Sequence, residues 1–422
     1  MQLQIKLKNI LNNMTYKFID LFSGCGGLED GFLQSGRYDS IASVEWLKPQ
    51  AQTLINRLRS KWKYQNAEEK VLNFDIQREQ ELFHGWNNDP DFGCSKGLDY
   101  LVNQANGIDV IIGGPPCQAY SIAGRVRDEN GMHDDYRNFL FEHYLSIVNR
   151  YKPKVFLFEN VLGILSAKPN GINILNEIKK SFSKIGYVIP NDIKSFCVVN
   201  SVNFDVPQNR KRVIIVGVRE DLIQNLCIED FYSKYLVKYQ TDRVRTVGEA
   251  ISDLEKFFPV MNKEEHSKVN AYKGNKNTKN WHSPRYHNIR DMTIYGMLAK
   301  DIETRTFKYT TSAALSDVYE KFVGAKSPIH RYYVLRKDEP STTIIAHLYK
   351  DGNRFIHYDS SQARSITPRE AARLQSFDDD FEFCGSQGSV YQMIGNAVPP
   401  KLGKALGLAL SEFLDDIIIN DK

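Results

Sequence analysis

Three short runs dense in Val, Ile and Phe constrain this chain most: residues 109–113, 154–161 and 212–218. Each is far too short to cross a membrane and apolar almost throughout, so each reads as a strand buried on both faces. Weaker strand signals lie at 17–22, 40–46 and 71–76, and helical periodicity occupies 138–150 and 171–184. Strands alternating with helices point to the α/β class, a mainly parallel sheet covered on both sides. A last amphipathic helix is expected at 401–414, with Leu402, Ala405, Leu406, Ala409, Leu410 and Phe413 on one side. Another is expected to start at Thr367-Pro368 with Glu370 in its first turn.

The texture changes after residue 254, where Lys, Asn, His, Tyr and Thr replace the apolar periodicity. At ~150 residues per domain, 422 residues suggest two or three domains. The expected division is a first domain over 1–256 and a smaller one over 257–390. Hydrophobic content of 42% and charged content of 25% exclude a disordered, collagen-like or coiled-coil chain. No signal-peptide pattern opens the chain, and Met1 and Met14 both remain open as starts. Six cysteines without a C-x-x-C pair argue against a zinc site or disulfide framework and fit a reducing cytosol. The net charge of +4 says little, but residues 272–308 hold eight Lys or Arg against three acids, a local basic patch.

The segment Phe18-Ile-Asp-Leu-Phe-Ser-Gly-Cys-Gly-Gly reads as a strand entering a glycine turn and a helix. Gly24, Gly26 and Gly27 permit a sharp turn and close approach of a ligand. Glu45 closes the next strand, where an acid can accept from both ribose hydroxyls, and Trp46 beside it offers a flat face to adenine. Glu29 breaks the strict G-x-G-x-x-G pattern, which disfavours a dinucleotide pyrophosphate. The strand 109–113 delivers Gly-Gly-Pro-Pro and then Cys117. Two prolines set the backbone just before the thiol, marking Cys117 as a nucleophile; the other five cysteines read as small packing residues. Glu159 ends a further strand, where a carboxylate projects into the ligand crevice of an open sheet. Arg210 and Arg212, in Gln208-Asn-Arg-Lys-Arg, are expected to share one face of an extended segment.

In this order, F-I-D-L-F-S-G-C-G-G, G-G-P-P-C-Q-A-Y-S, E-N-V, Q-N-R-K-R, R-E-A-A-R-L-Q-S-F and G-N-A-V-P-P resemble the DNA cytosine-5 methyltransferase family. They are similar to the bacterial modification methylases of the HhaI type, over about 17–254 and 329–416. The resemblance implies a Rossmann-like, mostly parallel seven-stranded sheet, completed by the C-terminal helix (395–418), and an irregular target-recognition domain. It implies S-adenosyl-L-methionine as cofactor. By motif position, Phe18, Gly24, Glu45, Trp46, Asp75, Ile76, Gly114, Pro116, Leu140, Asn396 and Val398 would line its pocket. Two departures stand out: Tyr120 replaces the family's usual Phe, and about 77–107 form an added segment, read as a surface elaboration or a DNA contact.

The same resemblance implies methylation at C5 of a flipped-out cytosine in a specific double-stranded DNA sequence, through a Cys117–C6 adduct. Glu159 would hold N3 and the exocyclic amine, Arg212 would hold O2, and Arg210 would support the loop and a phosphate. Residues 118–137 are expected to close over the DNA. Ser121, Arg125, Arg127, Lys276, Lys279, Arg285 and Arg290 are the expected DNA contacts, with Trp281, His282, Tyr286 and His287 interleaved among the bases. The expected setting is a cytoplasmic, nucleoid-associated monomer of bacterial or phage origin, with a cognate restriction endonuclease as functional partner, no membrane and no metal. A transfer-RNA cytosine-5 methyltransferase, a catalytically silent DNA-binding relative and a thiol hydrolase are the alternatives.

Overall fold

The computed structural model describes residues 14–116, 140–168, 174–223, 226–274, 281–325 and 332–420. Chain contacts divide it into two compact units: Met1–Phe204 with Lys211–Asp242 and Val398–Lys422, and Asp205–Arg210 with Arg243–Ala397.

The first unit is built on one sheet. Its strands are β1 (Tyr16–Leu21), β2 (Tyr38–Glu45), β3 (Val71–Asn73), β6 (Val110–Gly113), β7 (Val155–Val161), β8 (Tyr187–Val188), β9 (Val198–Asn200) and β11 (Lys211–Arg219). Two strands, β4 (Trp86–Asp89) and β5 (Gly93–Ser95), form a separate hairpin. The order is β3-β2-β1-β6-β7-β11, with β8 and β9 both pairing β11, so among the described residues the sheet has eight strands, one more than expected. All pairs from β3 to β7 are parallel, while β11 runs antiparallel to β7. The buried apolar runs seen in the sequence are β6, β7 and β11, whose central residues are fully buried. β1 lies between β2 and β6, so the winding reverses there and the carboxyl ends of β1 and β6 open a crevice.

Helices α1 (Gly27–Gln34), α2 (Lys48–Ser60), α3 (Glu79–His84), α4 (Gly97–Gln104), α5 (Leu140–Tyr151) and α6 (Ile174–Lys184) belong to this unit. So does the final helix, Pro400–Asn420, which packs on α1 so closely that a β-carbon on Gly31 would stand 2.4 Å from the Pro400 carbonyl. Asp415 of that helix accepts from Tyr16 (2.6 Å) and pairs with Arg37 (2.9 Å).

Beyond Asp205–Arg210, the second unit runs from Arg243 to Ala397. Residues 243–256 carry the short helix α7 (Val247–Ile251), capped by a Thr246–Glu249 box, and Arg373 holds this stretch through the Ala250 carbonyl and Asp253. Helices α8 (Ile289–Glu303) and α9 (Ser312–Val323) share a small core with Tyr332, Val334 and Ile356. Helix α10 (Pro368–Leu374) starts at the expected place, with a Thr367–Glu370 capping box. The Arg364 guanidinium, fully buried, grips Glu370 through both oxygens and holds its carboxyl down to about 2 despite burial. Strand β10 (Gln208–Asn209) pairs with Ser341–Thr342, and helix α11 (Gln387–Asn396) closes the unit. Among the described residues no helix is long and apolar enough to cross a membrane.

Candidate active site

The crevice at the carboxyl ends of β1, β2, β3 and β6 is shaped by backbone first. Gly24 takes φ +57° and has open space where a side chain would stand, while Gly26 takes φ +85° against Leu54. Glu45, the last residue of β2, is pinned through both oxygens: Oε2 accepts from the Gly24 N–H (2.8 Å) and Oε1 from the Leu47 N–H (2.7 Å). Burial raises its carboxyl above the ordinary range, against the backbone N–H groups of Leu47, Gly24 and Trp46. Each oxygen keeps a lone pair for a further donor. Trp46 is 52% exposed, leaving a ring face uncovered. Asn73 donates to the Glu45 and Trp46 carbonyls at 2.9 and 2.7 Å, tying the end of β3 to this corner. Asp75 and buried Ile76 follow, with the Asp75 carboxylate capping the Gln77 N–H at 3.0 Å.

Phe18 is a correction. It sits mid-strand with no exposure, edge-on to Tyr38 and close to Phe32, inside the core. Phe22, just past the end of the strand with φ +58°, is the partly buried ring on this side. Two further groups escaped the sequence reading. Asp20 is buried in β1, and among the described residues its Oδ2 has no hydrogen-bond partner. Glu29 is buried with Ser40 (2.6 Å) and Ser43 (2.7 Å) donating to it.

The chemistry-bearing edge lies at β6 and β7. Gly113 pairs in register with Phe158, which brings Gly114-Pro115-Pro116 beside Glu159-Asn160. Asn160 donates to the Pro115 carbonyl at 3.3 Å and so holds the segment leading to residue 117. The Glu159 carboxylate lies against Gly114, where a β-carbon would approach Oε2 to 2.6 Å. Arg212, on β11, pairs with it at 3.0 Å (Nε to Oε1). Burial draws the Arg212 guanidinium below its ordinary value and Glu159 opposes that. Leu140 opens α5, Val398 is buried in the first unit, and Asn396 is exposed at the end of α11 in the second. Cys117, Ser121, Arg125, Arg127, Lys276, Lys279 and the expected loop 118–137 lie outside the described residues.

Four other expectations are corrected. Arg210 and Arg212 do not share a face, because the chain breaks between β10 and β11. Arg210 is buried in the second unit, donating to the Ile344 (2.8 Å) and Gly395 (3.3 Å) carbonyls, which leaves it no solvent face for a phosphate. In the interleaved stretch near 281–290, His282 and His287 are buried, while Tyr286 and Arg290 are exposed. His282 bonds Thr367 and the Glu255 carbonyl, His287 bonds Ser365, and Trp281 donates to the Phe383 carbonyl. Arg285 lies over Tyr391 and donates to the Leu348 carbonyl, and Arg290 pairs with Asp291. Cys94 and Cys227 are exposed rather than packed.

A family model for the C-5 cytosine-specific DNA methylases matches residues 16–412. The chain belongs to this family. The methylase is 32% identical to the type II methyltransferase M.Bpa9945I of Bacillus paralicheniformis, over 94% of this chain and 99% of that one. It is 31% identical to the type II methyltransferase M.Sau96I of Staphylococcus aureus, over 97% of this chain and 79% of that one. In fold it resembles the crystal structure of a candidate DNA modification methyltransferase from an E. coli prophage (TM-score 0.60, 23% identity, 95% of this chain and 99% of that one). The methylase is a DNA cytosine-5 methyltransferase, and the transfer-RNA alternative is not favoured. Membership implies S-adenosylmethionine as methyl donor and DNA as substrate.

Proposed function

We propose that this methylase modifies C5 of a cytosine rotated out of one specific double-stranded sequence, as the protecting half of a type II restriction–modification pair, and works as a monomer. The observation that carries the reading is the Glu159–Arg212 pair, partly buried where β7 ends, against the backbone that leads to Cys117. A carboxyl and a guanidinium side by side match the N3, exocyclic amine and O2 edge of cytosine.

The residues of the β1–β3 crevice fit the methyl donor. Open space over Gly24, the pinned Glu45 carboxylate and the bare Trp46 face suit the turn, ribose and adenine of an adenosyl group, with Phe22, Asp75, Ile76, Gly114, Pro116, Leu140 and Val398 around it. When bound, S-adenosylmethionine supplies an electrophilic methyl on a sulfonium. The chain supplies the rest. The Cys117 thiolate adds to C6, and the ring's electron pair moves to C5. Glu159 and N3 share a proton drawn from solvent and Arg212 donates to O2, holding the charge that develops. After methylation C5 passes its proton to solvent water, the C5–H electron pair re-forms the C5–C6 double bond, and the thiolate leaves.

DNA carrying 5-fluorocytosine tests this, since fluorine cannot leave as a proton does. The intact enzyme with S-adenosylmethionine is expected to form a denaturation-resistant protein–DNA adduct, and Cys117→Ser to form none. An equal adduct yield from Cys117→Ser would refute the mechanism. Bisulfite sequencing of DNA from expressing cells reads the target sequence.

A further inference from the structure

Residues 77–107 depart from the family pattern, and they carry a structure of their own: α3, the β4–β5 hairpin and α4. Residues 86–95, which hold the hairpin, contain Asp89 and Asp91 and not one Lys or Arg, which disfavours contact with a phosphate backbone. The segment's contacts run to two other places. Trp86 stacks on Phe74 with ring centroids 3.8 Å apart and planes at 20°, and Phe92 meets the same ring edge-on at 5.1 Å. Arg78 covers Phe74 at 4.6 Å while its guanidinium binds Glu81 of α3 and Asp89 of the hairpin, both at 2.7 Å. Phe74 is the residue before Asp75-Ile76 and is fully buried. At the other side, Glu79 accepts from the hydroxyl of Ser146 (2.9 Å) and pairs with His143 (2.6 Å), both on α5, the helix that Leu140 opens. Asp99 of α4 holds the far end of α5 through Arg150 and Tyr151.

We propose that residues 77–104 form a bracket that sets the separation between Asp75-Ile76 and Leu140, two parts of the donor-pocket lining. Trp86 and Glu79 are its positioning residues. This rests on the donor-site reading above. The segment fastens one side by aromatic stacking and the other by a carboxylate. Its role is then in donor affinity rather than in the chemical step or in DNA binding.

The test compares Trp86→Leu, Glu79→Ala and, as a control on the pocket itself, Trp46→Ala in the full chain. Binding of S-adenosylhomocysteine is measured by titration calorimetry, DNA binding by anisotropy, and kcat at saturating donor. Both bracket variants are expected to weaken S-adenosylhomocysteine about tenfold, with DNA affinity and kcat within twofold of wild type. If Trp46→Ala weakens it but both bracket variants bind as wild type, the bracket is refuted and the pocket stands. If Trp46→Ala also binds as wild type, the donor-site reading fails and takes the bracket with it. A parallel loss of donor affinity, DNA affinity and kcat would mark the segment as general scaffold and refute the proposal. Should Trp86→Leu not fold, Glu79→Ala decides by the same criteria.

Discussion

Two neighbouring glycines should respond to the same substitution in opposite ways. A β-carbon on Gly114 would stand 2.6 Å from Glu159 Oε2, ~0.8 Å inside an unstrained contact. Its next neighbours, the Glu159 carbonyl and Cβ at 3.5 and 3.6 Å, are at ordinary distance. The overlap is therefore relieved by pushing the carboxylate alone. A displacement of that size stretches the 3.0 Å pairing to Arg212 beyond hydrogen-bond range and moves the group that is to meet N3. Misplacing a reacting group by about an ångström costs about 10²-fold in rate. Gly114→Ala is thus expected to lower kcat about a hundredfold while the melting temperature stays near wild type. In Gly113→Ala the new atom meets the Leu21 carbonyl at 2.4 Å, which is backbone in a central strand. That variant should lose about 1–3 kcal/mol of stability by overpacking. Thermal melts and single-turnover methylation of a cognate duplex separate the two. Wild-type turnover in Gly114→Ala would show that the carboxylate does not act from this position.

Arg210→Met strands the Ile344 and Gly395 carbonyls in the interior and should cost about 2–4 kcal/mol, read as a lower denaturant midpoint. An unchanged midpoint with lost activity would instead restore a direct role for Arg210 at the DNA. Burial raises the Glu29 carboxyl from 4.5 to about 7, against the hydroxyls of Ser40 and Ser43. The folded state thus keeps a proton there that the unfolded chain has released, so stability falls as pH rises from about 4.5 to about 7, by on the order of 1–3 kcal/mol. Glu29→Gln should flatten that slope in denaturant titrations, and an unchanged slope would assign the pH dependence to other groups.

Much of this was legible in the sequence because it depends on local patterns. The end of β2 is marked by a polar residue closing an apolar run, and Glu45 stands there. Thr367, Pro368 and Glu370 carry the start of α10 within four residues. What stayed hidden depends on partners far along the chain. Phe18 and Phe22 flank Asp20 alike in the sequence, and only the turn after β1 shows which ring leaves the core. His282 and His287 look like a polar surface until Thr367 and Ser365, about 80 residues later, are seen to bond them. The i,i+2 spacing of Arg210 and Arg212 predicts a shared face only if the strand is continuous, and it breaks between them. The eight-to-three excess of bases over 272–308 is partly spent on Glu265, Asp291 and Glu303.

The pairing of α1 with the final helix sets a clock on synthesis. Gly31, Tyr16 and Arg37 meet their partners on a helix made some 370 residues later. At ~5–20 residues per second, the apolar side of the first helix waits on the order of 20–75 s on the ribosome without its cover. During that interval the uncovered apolar surface leaves the nascent unit open to aggregation.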